Sequence, residues 1–176
     1  MSDLFQSASR KGGYTAQDIE VLEGLEPVRR RPGMYIGGTD ERAMHHLVAE
    51  VLDNAMDEAV AGHATRIELT VSKNDTVTIK DNGRGIPTDP HPKMKGKSAL
   101  EVILTTLHSG GKFSGKAYET SGGLHGVGVS CVNALSKRLV VQVFGKGLIH
   151  QMEFAQGKMT KGLETVGETT KRGTRV

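Results

Sequence analysis

Three polar side chains recur at four-residue intervals in the segment AMHHLVAEVLDNAMDEAVAG, namely His46, Glu50 and Asn54. Residues four apart on an α-helix are neighbours on one face, so an imidazole, a carboxylate and an amide oxygen can converge. A carboxylate that can accept a proton from water, beside a neutral oxygen that can ligate Mg²⁺, is what metal-assisted phosphoryl hydrolysis requires. The alternative is that this acidic face of the helix is simply solvated.

The segment SGGLHGVGVS, residues 121–130, has four glycines within seven positions and is followed by CVNALS, which has the composition of a helix. Backbone N–H groups that lead into a helix N-terminus form a cradle for an anion, and phosphate is the leading candidate. A flexible surface loop is the alternative, since glycine serves both purposes.

Two further segments could contribute to a phosphate or nucleotide site. DNGRGIP, residues 81–87, places an acid at the end of a predicted strand, although the same residue types also form plain turns. In LHSGGKF, Lys112 follows a glycine pair and could approach a polyphosphate as a point charge, or could be a solvated lysine.

The two common nucleotide-binding patterns are absent. A Walker A loop ending at Gly96, Lys97 and Ser98 would need glycine where His91 stands. The dinucleotide pattern fails as well, because its third glycine would be Cys131 in one glycine cluster and Thr88 in the other. A nucleotide bound by this chain would therefore be held by another fold.

Composition predicts one globular domain in a chain of 176 residues with 36% hydrophobic and 24% charged residues. No apolar stretch is long enough to span a bilayer and the N-terminus lacks a signal-peptide core, which predicts a cytoplasmic protein with no membrane partner. The single cysteine, Cys131, excludes an internal disulfide and is expected in the core. A net charge of +3 allows a polyanionic partner without requiring one.

Hydrophobic periodicity predicts four helices and five strands. The helices are expected in DIEVLEGLEPVRR, in the long segment that ends at Gly62, in ALEVILTTLHSGG and in CVNALS. RIELTVS and TVTIKDNG should form a hairpin around KND with one face buried, and RLVVQVF, GLIHQMEF and GTRV should be further strands. The final strand stops abruptly at Val176, which suggests that the native chain continues. The packing side of the long helix is predicted to carry Val48, Val51, Leu52, Ala55, Met56 and Ala59.

Taken together and in this order, EVLDNAMDE, DNGRGIP, GGKF and SGGLHGVGVSCVNALS resemble the ATPase domain of the superfamily of gyrase, heat-shock chaperones, histidine kinases and mismatch-repair proteins (GHKL). LEPVRRRPGMYIG, LHSGGKF and SGGLHGVGVS narrow the resemblance to the B subunit of bacterial type IIA topoisomerases. GLEPVRRRPGMY and KFSGKAYETSGG are more similar to the topoisomerase IV branch than to gyrase. The resemblance implies an α+β fold, a two-layer sandwich of the GHKL (Bergerat) type. Its sheet would be mixed and mostly antiparallel, with helices on one face.

The resemblance also implies roles for individual residues. Glu50 matches the general base that polarises the water attacking the γ-phosphate, and His46 matches a histidine that helps to orient it. Asn54 matches the ligand of Mg²⁺. Asp81 matches the acid that accepts a hydrogen bond from the adenine amino group, and Thr174 matches the threonine that joins it through a water.

Further matches surround these residues. Arg84 is expected to pair with Glu58 at the pocket mouth, and Gly85, Ile86 and Pro87 match the wall beneath the base. The lid that wraps the triphosphate of ATP is matched by Lys112, Gly123, Leu124, His125, Gly126, Val127, Gly128 and Val129. Tyr14 and Ile19 match an arm that crosses to a second copy of the subunit when ATP closes the dimer.

Domain organisation and partners follow from the same resemblance. Residues 1–18 are expected to be the dimerisation arm and residues 19–176 an ATPase domain truncated at its C-terminal end. The family's catalytic lysine lies in a transducer domain beyond Val176, so weak turnover is expected from this chain alone. The expected partners are the topoisomerase A subunit in an A₂B₂ heterotetramer, double-stranded DNA through other parts of the full-length protein, and ATP-competitive inhibitors. Gly145 stands where many relatives have an arginine that packs against aminocoumarins. A chaperone or mismatch-repair ATPase and a nucleotide sensor without turnover are the remaining alternatives.

Overall fold

The structure is a computed structural model that describes residues 16–109 and 128–176. After a short 3₁₀ helix at Ala16–Asp18, the described helices are α1 (Glu26–Arg30), α2 (Gly33–Ile36), α3 (Glu41–Val60), α4 (Ala99–Thr105) and α5 (Gly128–Leu135). The described strands are β1 (Ile67–Ser72), β2 (Thr76–Asp81), β3 (Leu139–Gly145), β4 (Leu148–Ala155), β5 (Lys158–Glu168) and β6 (Gly173–Arg175).

The described strands form a six-stranded sheet in the order β1-β2-β6-β3-β4-β5, and its recorded pairings are all antiparallel. β1 and β2 form the predicted hairpin, in which Ile67 lies opposite Asp81. The last strand, β6, inserts at the centre and pairs with β2 on one side and β3 on the other. The short strand β6 therefore joins the β1–β2 hairpin to the β3–β4–β5 meander.

The two faces of the sheet differ in chemistry. One face and the helices packed on it share a buried apolar core of Val51, Ala55, Ile79, Leu100, Leu104, Val132, Leu139, Val141, Val143, Met152 and Phe154. On the other face, polar side chains pair across the strands: Gln142 donates to Gln151 at 2.7 Å, and Arg138 and Lys161 both lie 2.9 Å from Glu153. The predicted two-layer sandwich with helices on one face is confirmed.

Helix α3 begins and ends where its sequence indicates. Asp40 caps its N-terminus by accepting from the backbone N–H of Ala43 at 3.0 Å. At its C-terminus the carbonyl of Glu58 accepts from the N–H groups of His63 and Ala64 at 2.8 and 2.9 Å. Gly62, at φ +77°, lies in the turn that follows.

The predicted packing side of α3 is correct except at Met56. Val51 and Ala55 are buried, and Val48, Leu52 and Ala59 are half-buried. Met56 is 45% exposed, because it lies about 140° around the helix from Val51 and so at the edge of the apolar stripe.

Helix prediction overshot in two segments. In DIEVLEGLEPVRR the α-helix is confined to Glu26–Arg30, because a turn at Gly24 separates it from the preceding residues. Helix α4 ends at Thr105, since Thr106 is extended and the Ser109 hydroxyl donates to the carbonyls of Val102 and Thr106. The short helix α2 was not predicted.

Strand β5 was also missed. Its apolar residues Met159, Leu163 and Val166 do not alternate strictly, and its pairing with β4 contains register shifts. A bulge changes which face the next side chain points to, so the period of two is lost from the sequence.

The hairpin β1–β2 departs from expectation in another way. Leu69 and Val71 of the edge strand β1 remain exposed, because α3 packs over β2.

Helix α5 is held at its C-terminal end by α1. The guanidinium of Arg29 donates to the carbonyl of Ala134 at 2.8 Å and to the side-chain oxygen of Gln156 at 3.3 Å. A cation at this end of a helix is favoured by the helix dipole.

Cys131 in the same helix is buried, as predicted, and burial raises the pKa of its thiol to about 11.

Candidate nucleotide site

Asp81 is a buried carboxylate at the end of β2. Its Oδ1 accepts from the backbone N–H of Gly83 at 2.8 Å and from that of Thr174 in β6 at 3.3 Å. Asp81 as a whole is only 7% exposed. Because both recorded bonds use Oδ1, Oδ2 is the oxygen that can accept a hydrogen bond from a ligand.

The surroundings of Asp81 raise the pKa of its carboxyl above the usual range. Burial is the largest cause, because it disfavours the charged form, and the nearby charge of Glu58 acts in the same direction. The N–H groups of Gly83 and Thr174 oppose these effects by stabilising the carboxylate.

Glu58, in the last turn of α3, binds Arg84 through three contacts. The Arg84 backbone N–H and Nε donate to Oε2 at 2.8 and 3.2 Å, and Nη2 donates to Oε1 at 2.7 Å. Glu58 is buried, whereas Arg84 is exposed. This arrangement is the expected pair, with the guanidinium on the solvent side and the carboxylate on the side of Asp81.

Two glycines that sequence reasoning did not assign to the site let its parts approach closely. A Cβ on Gly83 would lie 2.7 Å from Oε2 of Glu58 and 2.9 Å from Oδ1 of Asp81, so only glycine fits between the two carboxylates. Gly173, at φ +125°, lies directly against the carbonyl oxygen of Asp81, with which a Cβ would collide. The turn composition of DNGRG was visible in the sequence, but the carboxylate neighbours of Gly83 were not.

The segment Gly85–Ile86–Pro87 lines the same region. Gly85 has φ +80°, and a Cβ there would lie 3.0 Å from Cγ1 of Val143. Ile86 packs on the apolar core and Pro87 is exposed. The Gly85 Cβ position also lies 3.3 Å from the carbonyl oxygen of Gly173, so this segment runs close to β6.

Glu50 lies against the first residue of α5. A Cβ on Gly128 would overlap Oε2 of Glu50, so the carboxylate touches the start of this helix. The first N–H groups of a helix have no partner within the helix and attract anions. Val129, the next residue, is half-buried. The predicted general base, Glu50, therefore lies at the first described residue of α5.

The other predicted residues of α3 flank Glu50. The side-chain amide nitrogen of Asn54 donates to the carbonyl of Glu50 at 2.8 Å, and of the two amide atoms only the oxygen has lone pairs suited to a cation. His46, one turn earlier, is exposed. Within residues 16–109 and 128–176, no three His, Cys, Asp or Glu side chains form a group suited to a metal ion.

Some predicted residues cannot be placed in this site. Outside the described residues lie Tyr14, Lys112, Gly123, Leu124, His125, Gly126 and Val127. Ile19, from the expected arm, is exposed. Gly145 is half-buried next to the β3–β4 turn, with no atom within 4 Å of the position that a Cβ would take.

Helix α3 thus connects two sites of different chemistry. Glu58 lies two turns after Glu50, about 12 Å along the helix axis. One site offers the buried carboxylates of Asp81 and Glu58, and the other offers the Glu50 carboxylate at the start of α5.

Residues 39–176 match the family of histidine kinase-, DNA gyrase B- and HSP90-like ATPases, and the chain belongs to this family. Among curated proteins it is similar to the B subunit of DNA topoisomerase 4 from Caulobacter vibrioides, with 63% identity over 171 residues that cover 97% of this chain and 25% of that protein. It is also similar to the B subunit of DNA gyrase from Thermotoga maritima, with 56% identity over 92% of this chain and 25% of that protein.

Among solved structures, the chain is similar to the 43K ATPase domain of Thermus thermophilus gyrase B, crystallised in complex with an aminocoumarin. The TM-score is 0.74 at 49% identity, covering 86% of this chain and 37% of the other. The GHKL fold is thereby confirmed, and ATP is the ligand that the family implies. The chain spans about a quarter of the length of these curated relatives. In the part of the chain that the structure describes, no helix is long and apolar enough to cross a membrane.

Proposed function

We propose that this chain is the ATP-binding and ATP-hydrolysing domain of a DNA topoisomerase IV B subunit. The observation that carries the proposal is the contact between Glu50 and the start of α5, because a proton acceptor next to a helix N-terminus suits the hydrolysis of a bound phosphate. The 63% identity to a topoisomerase IV relative, compared with 56% to a gyrase relative, supports topoisomerase IV over gyrase.

Asp81 would read adenine. Its Oδ2 would accept a hydrogen bond from the exocyclic amino group of the base, and Thr174 would join the same contact through a water. Guanine has a carbonyl oxygen at the equivalent position, which cannot donate to a carboxylate. The surface formed by Gly85, Ile86 and Pro87 would pack against the base.

Asn54 would hold Mg²⁺ together with the phosphates of the nucleotide. A single neutral protein oxygen suits this ion, which usually keeps several water ligands and binds substrate phosphates. When bound, the ion neutralises negative charge that develops during phosphoryl transfer. Lys112 and the segment 123–129 would enclose the phosphates.

Glu50 would accept a proton from the attacking water, with His46 helping to orient that water. A γ-phosphate bound at the α5 N-terminus would lie close to the Glu50 carboxylate. Charge on the phosphate would be stabilised by the helix N–H groups rather than by Glu50 itself.

In the full-length protein, ATP binding would close a dimer of two B subunits through the arm of residues 1–18, and hydrolysis by the domain of residues 19–176 would reopen it. Two A subunits would complete an A₂B₂ heterotetramer in the bacterial cytoplasm. The cycle would drive passage of one DNA duplex through another, as decatenation and relaxation require.

Calorimetric titration of the chain with ATP and Mg²⁺ tests the adenine site. We expect saturable binding of ATP, no comparable binding of GTP, and at least about tenfold weaker ATP binding by Asp81→Asn, which corresponds to roughly 1.4 kcal/mol. The Asn amide can still accept from Gly83 and Thr174, so the fold should survive. Equal affinity of the folded chain for ATP and GTP would contradict the assignment of Asp81.

The Glu50→Gln variant of the full-length protein tests catalysis. We expect ATP affinity within about threefold of wild type and turnover reduced about 10²- to 10⁴-fold, because a general base is lost while binding contacts remain. Steady-state ATPase assays with and without DNA would measure this. DNA-stimulated turnover by Glu50→Gln close to that of wild type would exclude Glu50 as the base.

Gly145 leads to a prediction about inhibitors. Restoring an arginine with Gly145→Arg should tighten aminocoumarin binding, since the family's arginine packs against these compounds and the position has open space around it. A titration of both proteins with one aminocoumarin would measure the change. An unchanged dissociation constant would show that position 145 does not set inhibitor affinity.

A further inference from the structure

Asn82 comes directly after Asp81, and its side chain forms hydrogen bonds with the two residues before β1. Its Oδ1 accepts from the backbone N–H groups of Thr65 and Arg66 at 2.8 and 2.9 Å. Its Nδ2 donates to the hydroxyl of Thr65 at 2.9 Å, and its backbone N–H donates to the carbonyl of Arg66 at 3.2 Å. Two backbone donors can be satisfied only by the amide oxygen, so this network fixes the orientation of the side chain.

The segment that Asn82 binds is the connection between α3 and β1. This connection follows Val60, the last residue of α3, and reaches β1 directly after Arg66. Its residues His63 and Ala64 donate to the carbonyl of Glu58 in the last turn of α3. Asn82 therefore joins the C-terminal end of α3 to the C-terminal end of β2. These two ends carry Glu58 and Asp81.

The neighbours of Asn82 leave little room for Asp81 to move independently. The Cα of Asn82 is only 2.9 Å from where a Cβ on Gly173 would stand, so β6 packs closely on one side of it. On the other side, Gly83 lies between the carboxylates of Glu58 and Asp81. A displacement of residue 82 would be passed on to both carboxylates and to the Gly83 N–H that binds Asp81.

From this geometry we propose that Asn82 is a positioning residue for adenine recognition, acting through the acceptor oxygen that locks the β2 end to the α3–β1 connection. Asn82 does not touch the base. Its oxygen sets the place of the Asp81 carboxylate relative to Glu58, and thereby the affinity for the adenine end of the nucleotide. The inference rests on the proposed ATP-binding function and adds a residue to the same site.

Three variants of Asn82 and one control variant test whether the hydrogen-bond acceptor of the Asn82 side chain is the property that matters. Asn82→Ala removes the acceptor, whereas Asn82→Asp keeps an oxygen for both N–H groups and can accept from the Thr65 hydroxyl. Asn82→Ser offers a shorter side chain that reaches fewer donors and is the milder substitute if Asn82→Ala does not fold. Asn74→Ala, at the opposite end of the β1–β2 hairpin, is the matched control.

The readout is calorimetric affinity for ATP and for inorganic tripolyphosphate, measured where circular dichroism shows each variant to be folded. We expect Asn82→Ala to bind ATP about tenfold more weakly, Asn82→Ser to be intermediate, and Asn82→Asp and Asn74→Ala to stay within about threefold of wild type. Tripolyphosphate affinity should not change, because the phosphate end of the site lies about two helical turns away.

Each other result contradicts a defined part of this scheme. Unchanged ATP affinity in folded Asn82→Ala or Asn82→Ser, even with a lower melting temperature, would reduce Asn82 to a structural residue. Equal weakening in Asn82→Asp would show that the acceptor oxygen is not the cause. Wild-type protein that fails to bind ATP would instead refute the proposed function, and with it the basis for this role.

Discussion

At the scale of single residues, burial of the Asp81 carboxylate lowers the stability of the folded protein at neutral pH. Its pKa is raised in the folded protein, chiefly by burial. Its stabilising contribution is therefore fully present below the unfolded pKa of about 3.9 and is lost as pH rises through the folded pKa. We predict that Asp81→Asn becomes more stable relative to wild type as pH increases from about 4.5 to 7.5, although it loses ATP affinity.

Urea unfolding of both proteins at the two pH values measures this effect. Asp53→Asn, which changes an exposed carboxylate on α3, is the control and should show no comparable gain. If the difference in free energy of unfolding between wild type and Asp81→Asn is the same at both pH values, burial does not raise the pKa of the Asp81 carboxyl.

At the scale of elements, the contact between α3 and α5 determines where Glu50 can lie. We predict that Gly128→Ala reduces ATP turnover of the full-length protein at least about tenfold, because the new methyl group would take the place of the Glu50 carboxylate. The fold should tolerate the change, since the atoms that the new methyl group would meet all belong to the Glu50 side chain and Gly128 does not have a positive φ. ATPase assays and thermal unfolding would report the two effects separately.

The control for this contact is Gly162→Ala, a glycine in β5 with open space around it. Normal turnover in that variant together with loss in Gly128→Ala would locate the effect at the α3–α5 contact. Full turnover in Gly128→Ala would show that the Glu50 carboxylate can move aside without cost.

At the scale of the whole molecule, β6 connects the two parts of the sheet. We predict that Gly173→Ala lowers the free energy of unfolding by about 3 kcal/mol or more, because a Cβ would collide with the Asp81 carbonyl at a backbone angle that other residues rarely adopt. Denaturant unfolding followed by circular dichroism would measure the loss. A change below about 0.5 kcal/mol would contradict the central role of β6.

Much of the fold could be predicted from local sequence. The long helix α3, the β1–β2 hairpin and the strands β3 and β4 carry regular periodicity, and short-range physics determines each of them. Strand β5 could not be predicted, since its bulges shift the side-chain alternation. Helix was also predicted before Glu26 and after Thr105, where the residues favour helix locally. In the structure, a turn ends the first of these segments and side-chain hydrogen bonds to backbone carbonyls end the second.

The sequence by itself determined which chemical groups are present and their order: Glu50 and Asn54 on one helix face, Asp81 at a strand end, and glycines ahead of a helix. Only the tertiary structure decided which of them meet. Whether the acidic face of α3 was solvated depended on α5, on β2 and on the turn after β2, which pack against it, bury Glu58 and bring Glu50 to Gly128. Gly83, Asn82 and Gly173 gained their importance in the same way, because close approach between segments distant in sequence leaves no local pattern.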